Sequence, residues 1–234
     1  MRLSSIAPWE NRVTETVEFR RGPGGRPSRE EAERRRGVLL QTAMRLFLER
    51  GFEAVSVEEI ARQSGVAKRF IYARYIDKSE LFVAAIEYNF LDRLDVLRSL
   101  APSPRGPEHG LYELGRVLID ISLQPDVVAL RRLMFAVAPQ FPEIMKRLTE
   151  RNRERGLHQV EHILTFYADR GDIEFPKSQL RLVAEQFFNC VAGIPQRLAL
   201  LEMTEPPAEQ DRRLRLAVRL FVRGVRPEAK RRGD

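Results

Sequence analysis

Cationic and aromatic side chains are concentrated in one short stretch, directly after a break in the hydrophobic pattern. Lys68, Arg69 and Arg74 lie there among Phe70 and Tyr72. Arginine can donate two hydrogen bonds to the edge of a guanine, and an apolar side chain can contact the methyl group of thymine. Tyrosine hydroxyls and lysine ammonium groups bind phosphate oxygens. The stretch therefore combines the residue types that bind a nucleic acid and read its bases.

Two short helices joined by a tight turn are predicted to position these side chains. Ser56 and Glu59 have the spacing of a capping box at the start of the first helix. Residues 64–66 read Ser-Gly-Val and interrupt the pattern, and the second helix is expected from about Ala67 to Tyr75. This arrangement is typical of a helix-turn-helix, whose second helix enters the major groove of DNA.

The charge distribution indicates the same kind of partner. The chain carries a net charge of +7, and residues 20–82 hold 14 lysines and arginines against 9 acidic residues. An excess of positive charge favours a polyanion, either nucleic acid or an acidic membrane surface. Its concentration around the predicted helix-turn-helix favours double-stranded DNA. Because no segment approaches the ~18 apolar residues of a membrane span, we expect a cytoplasmic protein without membrane contact.

The stretch LFLERGFEAVSVEEIARQSGVAKRFIYARYIDKSELF resembles the DNA-binding domain of the TetR family of bacterial transcriptional regulators. Three later segments resemble the AefR-like branch of that family: LRRLMFAVAPQFPEIMKRL, AEQFFNCVAGIPQRLALL and AVRLFVRGVRP. The resemblance implies a homodimer, a palindromic operator, and a helical second domain that releases DNA when a small molecule occupies it. The chain departs from the family at Ala67 and Phe70, where many members have serine or threonine.

The remainder of the chain is also expected to be helical, so the predicted fold class is all-α. Apolar residues recur at helical spacing, and no stretch keeps the alternation of a strand. The predicted organisation has four parts. They are a flexible N-terminal arm at 1–27, a three-helix helix-turn-helix domain at 28–82, a helical ligand-binding and dimerisation domain at 83–226, and a tail at 227–234.

Nine residues are predicted to contact DNA: Arg26, Ser56, Ala67, Lys68, Arg69, Phe70, Tyr72, Arg74 and Lys78. Arg26 belongs to a Gly-Gly-Arg-Pro segment that can place an arginine in the minor groove, or that serves only as a linker. Lys78 lies at the start of a predicted helix, where free N–H groups and the helix dipole favour a phosphate.

Two further surfaces are predicted in the second domain. Phe135, Phe166, Gln186 and Phe187 are expected to line a pocket for an unidentified small hydrophobic or aromatic effector, although aromatic residues at helical spacing are also typical of a core. Leu198, Leu214 and Phe221 are expected at a homodimer interface, with packing within one chain as the alternative. The single cysteine, Cys190, lies among apolar residues and is predicted to be a buried thiol.

Other function classes have less support in the sequence. His158 and His162 have the i, i+4 spacing of a helical metal site, but no third ligand is identifiable, and we expect neither a metal, a cofactor nor an enzyme. Three alternatives to a ligand-released repressor remain. They are a DNA-binding regulator without a ligand, a metal-dependent helical enzyme, and a helical interaction module that does not bind DNA. Activation instead of repression of transcription is also compatible with the sequence.

Overall fold

All the regular structure in the described part of the chain is helical, as predicted. A computed structural model of the protein describes residues 29–90, 97 and 99–225. Its helices are α1 (Arg29–Arg50), α2 (Val57–Ser64), α3 (Lys68–Tyr72), α4 (Lys78–Phe90), α5 (Pro107–Ser122), α6 (Pro125–Val137), α7 (Pro142–Asp169), α8 (Leu180–Leu200) and α9 (Pro207–Gly224). A short 3₁₀ segment, Lys177–Gln179, precedes α8. None of these helices is both long enough and apolar enough to span a membrane.

The described residues form two compact units. The first takes the described part of Met1–Asp92 together with Ala129–Leu148, and the second takes that of Arg93–Val128 and Thr149–Asp234. Residues 129–148 therefore belong to the first unit although they follow residues of the second unit in the sequence. The predicted domain ranges 28–82 and 83–226 do not include this return of the chain. Those ranges stay a prediction about where independent domains begin and end.

The core of the first unit forms where α1 packs against α2 and α4. The ring centroid of Phe47 lies 5.6 Å from that of Phe52 and 5.0 Å from that of Phe82, which it meets edge-on. The ring of Phe141 lies edge-on to Phe52 at 5.0 Å, and this contact helps to group residues 129–148 with the first unit. Such aromatic pairs add stability beyond the apolar area they bury.

Local signals read from the sequence set the helix ends in this unit. The Ser56 hydroxyl accepts a hydrogen bond of 3.1 Å from the backbone N–H of Glu59 and caps α2. Gly65 ends α2 in the left-handed region at a φ of 67°, where residues with a side chain are strained. At the start of α4, Asp77 Oδ1 accepts from the N–H of Glu80 at 2.8 Å. The contact of Ser56 and the conformation of Gly65 confirm the predicted cap and the predicted turn.

The core of the second unit lies between α5 and the pair α8 and α9, which pack against it. The buried side chain of Tyr167 in α7 is hydrogen-bonded to the segment that precedes α5. The Tyr167 hydroxyl donates to the Ser103 carbonyl at 3.0 Å and accepts from the Ser103 N–H at 2.9 Å. Burial raises the pKa of Tyr167, so the phenol stays neutral and keeps both bonds. Gly110 lies so close to this hydroxyl that a Cβ there would approach it to 2.0 Å.

Gly110→Ala should destabilise the second unit by about 1–3 kcal/mol, because the added methyl group overpacks a hydroxyl that is held at two points. Removing the hydroxyl with Tyr167→Phe should cost a similar amount, since it leaves the buried Ser103 N–H without its partner. In the double variant the combined loss should be smaller than the sum of the two, because phenylalanine removes the contact with the hydroxyl and leaves the milder contacts of the added Cβ with Cζ at 3.0 Å and Ser103 N at 3.2 Å. Urea denaturation followed by circular dichroism measures all three.

Gly224→Ala is the matched control, because a Cβ at Gly224 meets nothing within 4 Å. Its free energy of unfolding should stay within about 0.5 kcal/mol of the parent value. Strict additivity in the double variant would contradict the proposed clash between Gly110 and Tyr167.

Candidate nucleic-acid interface

The helix α3 is short and depends on its neighbours for its position. It covers only Lys68–Tyr72, between Ala67 at its start and Ala73 at its end. The predicted helix from about Ala67 to Tyr75 was therefore too long, because the N–H groups of Arg74 and Tyr75 both turn to the Ile71 carbonyl at 2.9 Å. Isolated helices of this length are unstable in water, so tertiary burial must hold α3 in place.

Three apolar side chains anchor this segment. Val66, Ile71 and Tyr75 are all buried. Because their spacing commits one face of the segment to the core, the intervening side chains must face outward. The structure accordingly leaves Ala67, Lys68, Arg69, Tyr72 and Arg74 exposed and Phe70 half-buried. The predicted DNA-contact residue Arg26 lies outside the described residues.

The cations on this exposed face differ in how they are held. Lys68 Nζ lies 3.1 Å from Glu58 Oε1 in an ion pair that joins α3 to the first turn of α2. A hydrogen bond from its own backbone N–H, followed by the Lys68 ammonium, lowers the pKa of Glu58. Arg69 is exposed, and its guanidinium has no ion-pair partner among the residues that the structure describes. Arg69 is therefore the side chain of α3 with the most donors available for a ligand.

Lys78 is held by the loop between α1 and α2. Its ammonium donates to the carbonyl of Phe52 at 3.1 Å and to that of Glu53 at 3.5 Å. It also lies 4.4 Å from the centre of the Phe52 ring, within the range of a cation–π interaction. These contacts tie the start of α4 to the loop before α2 and leave one of the three N–H groups for a phosphate. Sequence reasoning predicted the phosphate contact but not this internal role.

Phe70 and Arg74 form a stacked pair at the end of α3. The guanidinium carbon of Arg74 lies 3.7 Å above the centre of the Phe70 ring. Arg74 Nη1 also donates a long hydrogen bond of 3.4 Å to the Phe70 carbonyl. The i, i+4 spacing could have indicated this contact, because side chains four residues apart meet on one face of a helix.

The four residues that are predicted to line the effector pocket lie in different surroundings. Phe187 is fully buried and meets Phe221 edge-on at 5.1 Å, whereas Gln186 is exposed. Phe166 is half-buried beside Tyr167 at 5.3 Å. Phe135 belongs to the first unit and is 64% exposed. The pocket stays a prediction.

A surface cleft does occur in the second unit, near the histidine pair. Its volume is about 560 Å³, and it is lined by Ser99, Leu100, Ala101, Pro102, His158, Gln159 and His162. Within the described residues, no group of three or more histidines, cysteines or carboxylates is placed to hold a metal ion.

Two of the three residues predicted at a dimer interface pack within their own chain. Leu214 is 2% exposed and belongs to the core of its own chain, and Phe221 packs on Phe187 in that core. Leu198 is half-buried. The apolar residues that face solvent on α9 are Leu216 and Leu220, which are 49% and 61% exposed. The i, i+4 spacing of these two leucines could have indicated a second apolar stripe, but the sequence analysis followed the stripe that forms the core.

Helix α8 carries exposed apolar residues as well. Leu182 and Ile194 are exposed near its two ends, and Leu201 follows directly after it. Cys190 is exposed too, so the prediction of a buried thiol was wrong. The reason is the helical register, because Ala184, Phe187 and Val191 take the core-facing side of α8.

Two family sequence models match the chain in the order of its two parts. The model of the bacterial regulatory proteins of the tetR family matches residues 39–85, which include α2, α3 and the residues between them. The model of the C-terminal domain of AefR-like transcriptional repressors matches residues 109–224, from α5 to the end of α9.

Characterised relatives match over shorter segments. The transcriptional activator FasR of Mycolicibacterium smegmatis is 37% identical over 66 residues, which cover 28% of this chain and 30% of FasR. The regulator TcmR of Streptomyces glaucescens is 31% identical over 147 residues, or 60% of this chain and 64% of TcmR. The chain thus spans less than two thirds of the length of either relative.

A solved structure extends the similarity over most of the chain. A protein of Mesorhizobium loti MAFF303099, assigned to the TetR-family transcriptional regulators, is 26% identical and superposes with a TM-score of 0.70. The match covers 84% of this chain and 98% of the other. From the helix-turn-helix, the two matched models and this similarity, we conclude that the chain belongs to the TetR family of bacterial regulatory proteins, with a C-terminal domain of the AefR-like type.

Proposed function

We propose that the chain regulates transcription by binding a twofold-symmetric DNA operator as a homodimer. The observation that carries this proposal is the exposed face of α3, where the guanidinium of Arg69 and the hydroxyl of Tyr72 project from a helix anchored by Ile71. Such a face combines donors for base edges with donors for phosphate oxygens. Membership of the TetR family supports the same function.

In this proposal α3 lies in the major groove and α2 crosses the phosphate backbone. Ser56 caps α2 through its oxygen, so the hydroxyl proton remains free to donate to a phosphate. Lys68 can contact the backbone only by sharing its ammonium with Glu58, which is 3.1 Å away. Arg69 does not have to leave an ion pair in order to bind DNA, and we therefore assign most of the base contacts to it.

The homodimer is proposed to form through the solvent-facing apolar residues of α8 and α9. Leu216 and Leu220 lie one helical turn apart on α9, and Leu182 and Leu201 are exposed on or next to α8. Two helices from each of two chains can bury such stripes in a four-helix arrangement around a twofold axis. The same axis would set two copies of α3 about 34–36 Å apart, one turn of DNA.

We further propose that a small apolar or aromatic effector releases the DNA. The AefR-like second domain supports this step. An effector would have to prefer a conformation that binds DNA poorly, because a ligand shifts an equilibrium only through its differential affinity. The alternative is a regulator without a small-molecule ligand, and the relative FasR, named an activator, shows that activation must also be tested.

Selection of bound DNA from a random pool tests the core of the proposal. The recovered sequences should share an inverted repeat whose half-sites lie about 10 base pairs apart, centre to centre. Failure to enrich any sequence, with a folded protein and at low salt, would refute operator binding.

Arg69→Ala should weaken binding to the selected operator by about 1–3 kcal/mol per half-site, because it removes a bidentate base contact. The loss on unrelated DNA should be much smaller, so the ratio of the two affinities should fall. Fluorescence anisotropy titrations of both DNAs measure this ratio. Arg170→Ala removes the same charge from an exposed site in the second unit, and it should change neither affinity by more than a few tenths of a kcal/mol.

Glu58→Gln should strengthen binding to every DNA sequence, since it removes a negative charge beside the phosphates and releases Lys68 from its ion pair. The plot of log affinity against log salt concentration should steepen by about 0.9 for the additional phosphate contact in each half-site, or about 1.8 for the dimer. Glu108→Gln changes the same charge on the exposed start of α5 and should leave the slope unchanged. If the parent and Glu58→Gln show the same salt dependence of DNA affinity, Lys68 does not contact the phosphate backbone of DNA.

Leu216→Glu or Leu220→Glu should weaken dimerisation by about 3–6 kcal/mol, because each loses about 1.5–3 kcal/mol of apolar burial twice across the axis. The variants should remain folded, since both side chains face solvent in one chain. Leu214→Glu should instead unfold the second unit, because it places a charge in the core. Sedimentation velocity and circular dichroism separate the two outcomes.

Ile76→Glu controls for the added acidic charge, since Ile76 is 86% exposed in the first unit. It should leave the association state as it is. A dimer that survives both Leu216→Glu and Leu220→Glu would exclude this surface as the interface.

A further inference from the structure

The stacked pair of Phe70 and Arg74 has a geometry that fits two neighbouring base pairs. The guanidinium carbon of Arg74 lies 3.7 Å from the centre of the Phe70 ring. The guanidinium therefore lies over the face of the ring. The separation of 3.7 Å is close to the spacing of about 3.4 Å between successive base pairs of DNA. Two stacked side chains with this separation can therefore lie level with two stacked bases.

The arginine of the pair remains able to donate. The guanidinium carries five N–H groups, and the hydrogen bond that it makes to the Phe70 carbonyl is long, at 3.4 Å. No carboxylate among the residues that the structure describes pairs with Arg74. The ring beneath the guanidinium restricts its rotation, so less conformational entropy is lost when the fork engages a base.

An arginine that binds guanine through O6 and N7 lies close to the plane of that base. The ring stacked on its face must then lie at the level of an adjacent base pair. On the major-groove edge of an unmodified base pair, the one methyl group is the C5-methyl of thymine; apart from the small C5–H of cytosine, the other groups are hydrogen-bond donors and acceptors. A phenyl ring gains from contact with a methyl group and desolvates a polar edge without compensation.

We propose that Phe70 and Arg74 act as one reading unit for a guanine whose neighbouring base pair carries a pyrimidine C5-methyl group. Arg74 binds the guanine edge, and Phe70 contacts the methyl group of the neighbouring thymine, or that of a 5-methylcytosine. This inference rests on the proposed DNA binding and specifies which bases the site reads. It also gives a role to the phenylalanine, which cannot contribute a hydrogen bond to a phosphate.

A contact of Arg74 with phosphate alone is the competing explanation. It would account for the charge, but it would leave the half-buried Phe70 ring as a support without influence on the sequence that is bound. The two explanations differ in what the removal of a single methyl group from the DNA would do. They also differ in salt dependence, because a lost phosphate contact lowers the slope by about one unit.

The test uses the full-length protein and the operator recovered from the random pool, with each thymine next to a guanine replaced in turn by uracil. Uracil keeps the hydrogen-bonding edge of thymine and lacks its methyl group. A replacement in one half-site should weaken binding by the parent protein about fourfold, the factor that corresponds to about 0.8 kcal/mol for one buried methyl-sized group, and replacements in both half-sites should weaken it about 15-fold. Phe70→Ala should bind the thymine and uracil operators equally.

A second substitution in the DNA tests the arginine. Replacing the neighbouring guanine with 7-deazaguanine removes the N7 acceptor and should weaken binding by the parent protein about tenfold or more. Arg74→Ala should be insensitive to this change, and Arg74→Lys should retain only part of the sensitivity because lysine lacks the planar fork. Phe70→Leu is the matched variant that keeps an apolar contact without the stacked ring. It should keep part of the uracil effect and lose part of the 7-deazaguanine effect.

Thermal unfolding of each variant, measured beside the parent, confirms that the fold is intact. Binding by the parent that is indifferent to every uracil replacement would overturn the assignment of Phe70. A lower salt slope in Arg74→Ala, with the sensitivity to 7-deazaguanine unchanged, would assign Arg74 to phosphate and overturn the reading unit. Both results leave DNA binding itself in place, whereas a pool that yields no bound sequence refutes the proposed function and this inference together.

Discussion

The burial of Ile71 is the interaction on which the DNA-facing surface depends. Helix α3 contains five residues, far fewer than the 12–15 or so that an isolated helix needs, so its position comes from side chains packed into the first unit. Ile71 at the centre, with Val66 before it and Tyr75 after it, commits one side of the segment to the core. The aromatic contacts among Phe47, Phe52 and Phe82 give that core its shape. Because that side is buried, the remaining side chains of α3 face the solvent.

The cationic side chains on this surface fall into two groups: those that already have partners within the chain, and those whose N–H groups can donate to a ligand. Lys68 is paired with Glu58, and Lys78 donates to the Phe52 carbonyl, so both serve the structure before any ligand is bound. The guanidinium of Arg69 has more freedom, and that of Arg74 is stacked but keeps most of its donors. A count of positive charges in the sequence treats these four side chains alike. The contacts show that they should differ in affinity, salt dependence and sequence specificity.

The sequence predicted features that depend on local pattern and missed those that depend on the packing of several elements. The cap at Ser56 and the turn at Gly65 follow from residue type and spacing, and the structure confirms them. Helix α9 shows the limit of this reasoning, because it has one apolar stripe that includes Leu214 and another formed by Leu216 and Leu220. Periodicity cannot decide which stripe meets the rest of the chain. The same limit applies to Phe187 and Gln186. The packing of α8 against α5 decides which of the two is buried, and the sequence alone did not show that Gln186 is exposed.

If α3 reads DNA as we propose, its five residues also limit how much of an operator one chain can read. With room for only a few base contacts, discrimination against a wrong sequence would come from well-placed units such as the Phe70 and Arg74 stack rather than from many side chains. Each mismatch costs about 1–3 kcal/mol, and the proposed twofold dimer would apply that cost in both half-sites. Because the free energies add, a tenfold preference in one half-site would become about a hundredfold preference for the whole operator. The proposed dimer surface on α9 and the proposed reading by α3 therefore depend on each other, since a helix this short becomes selective when a second copy doubles its contribution.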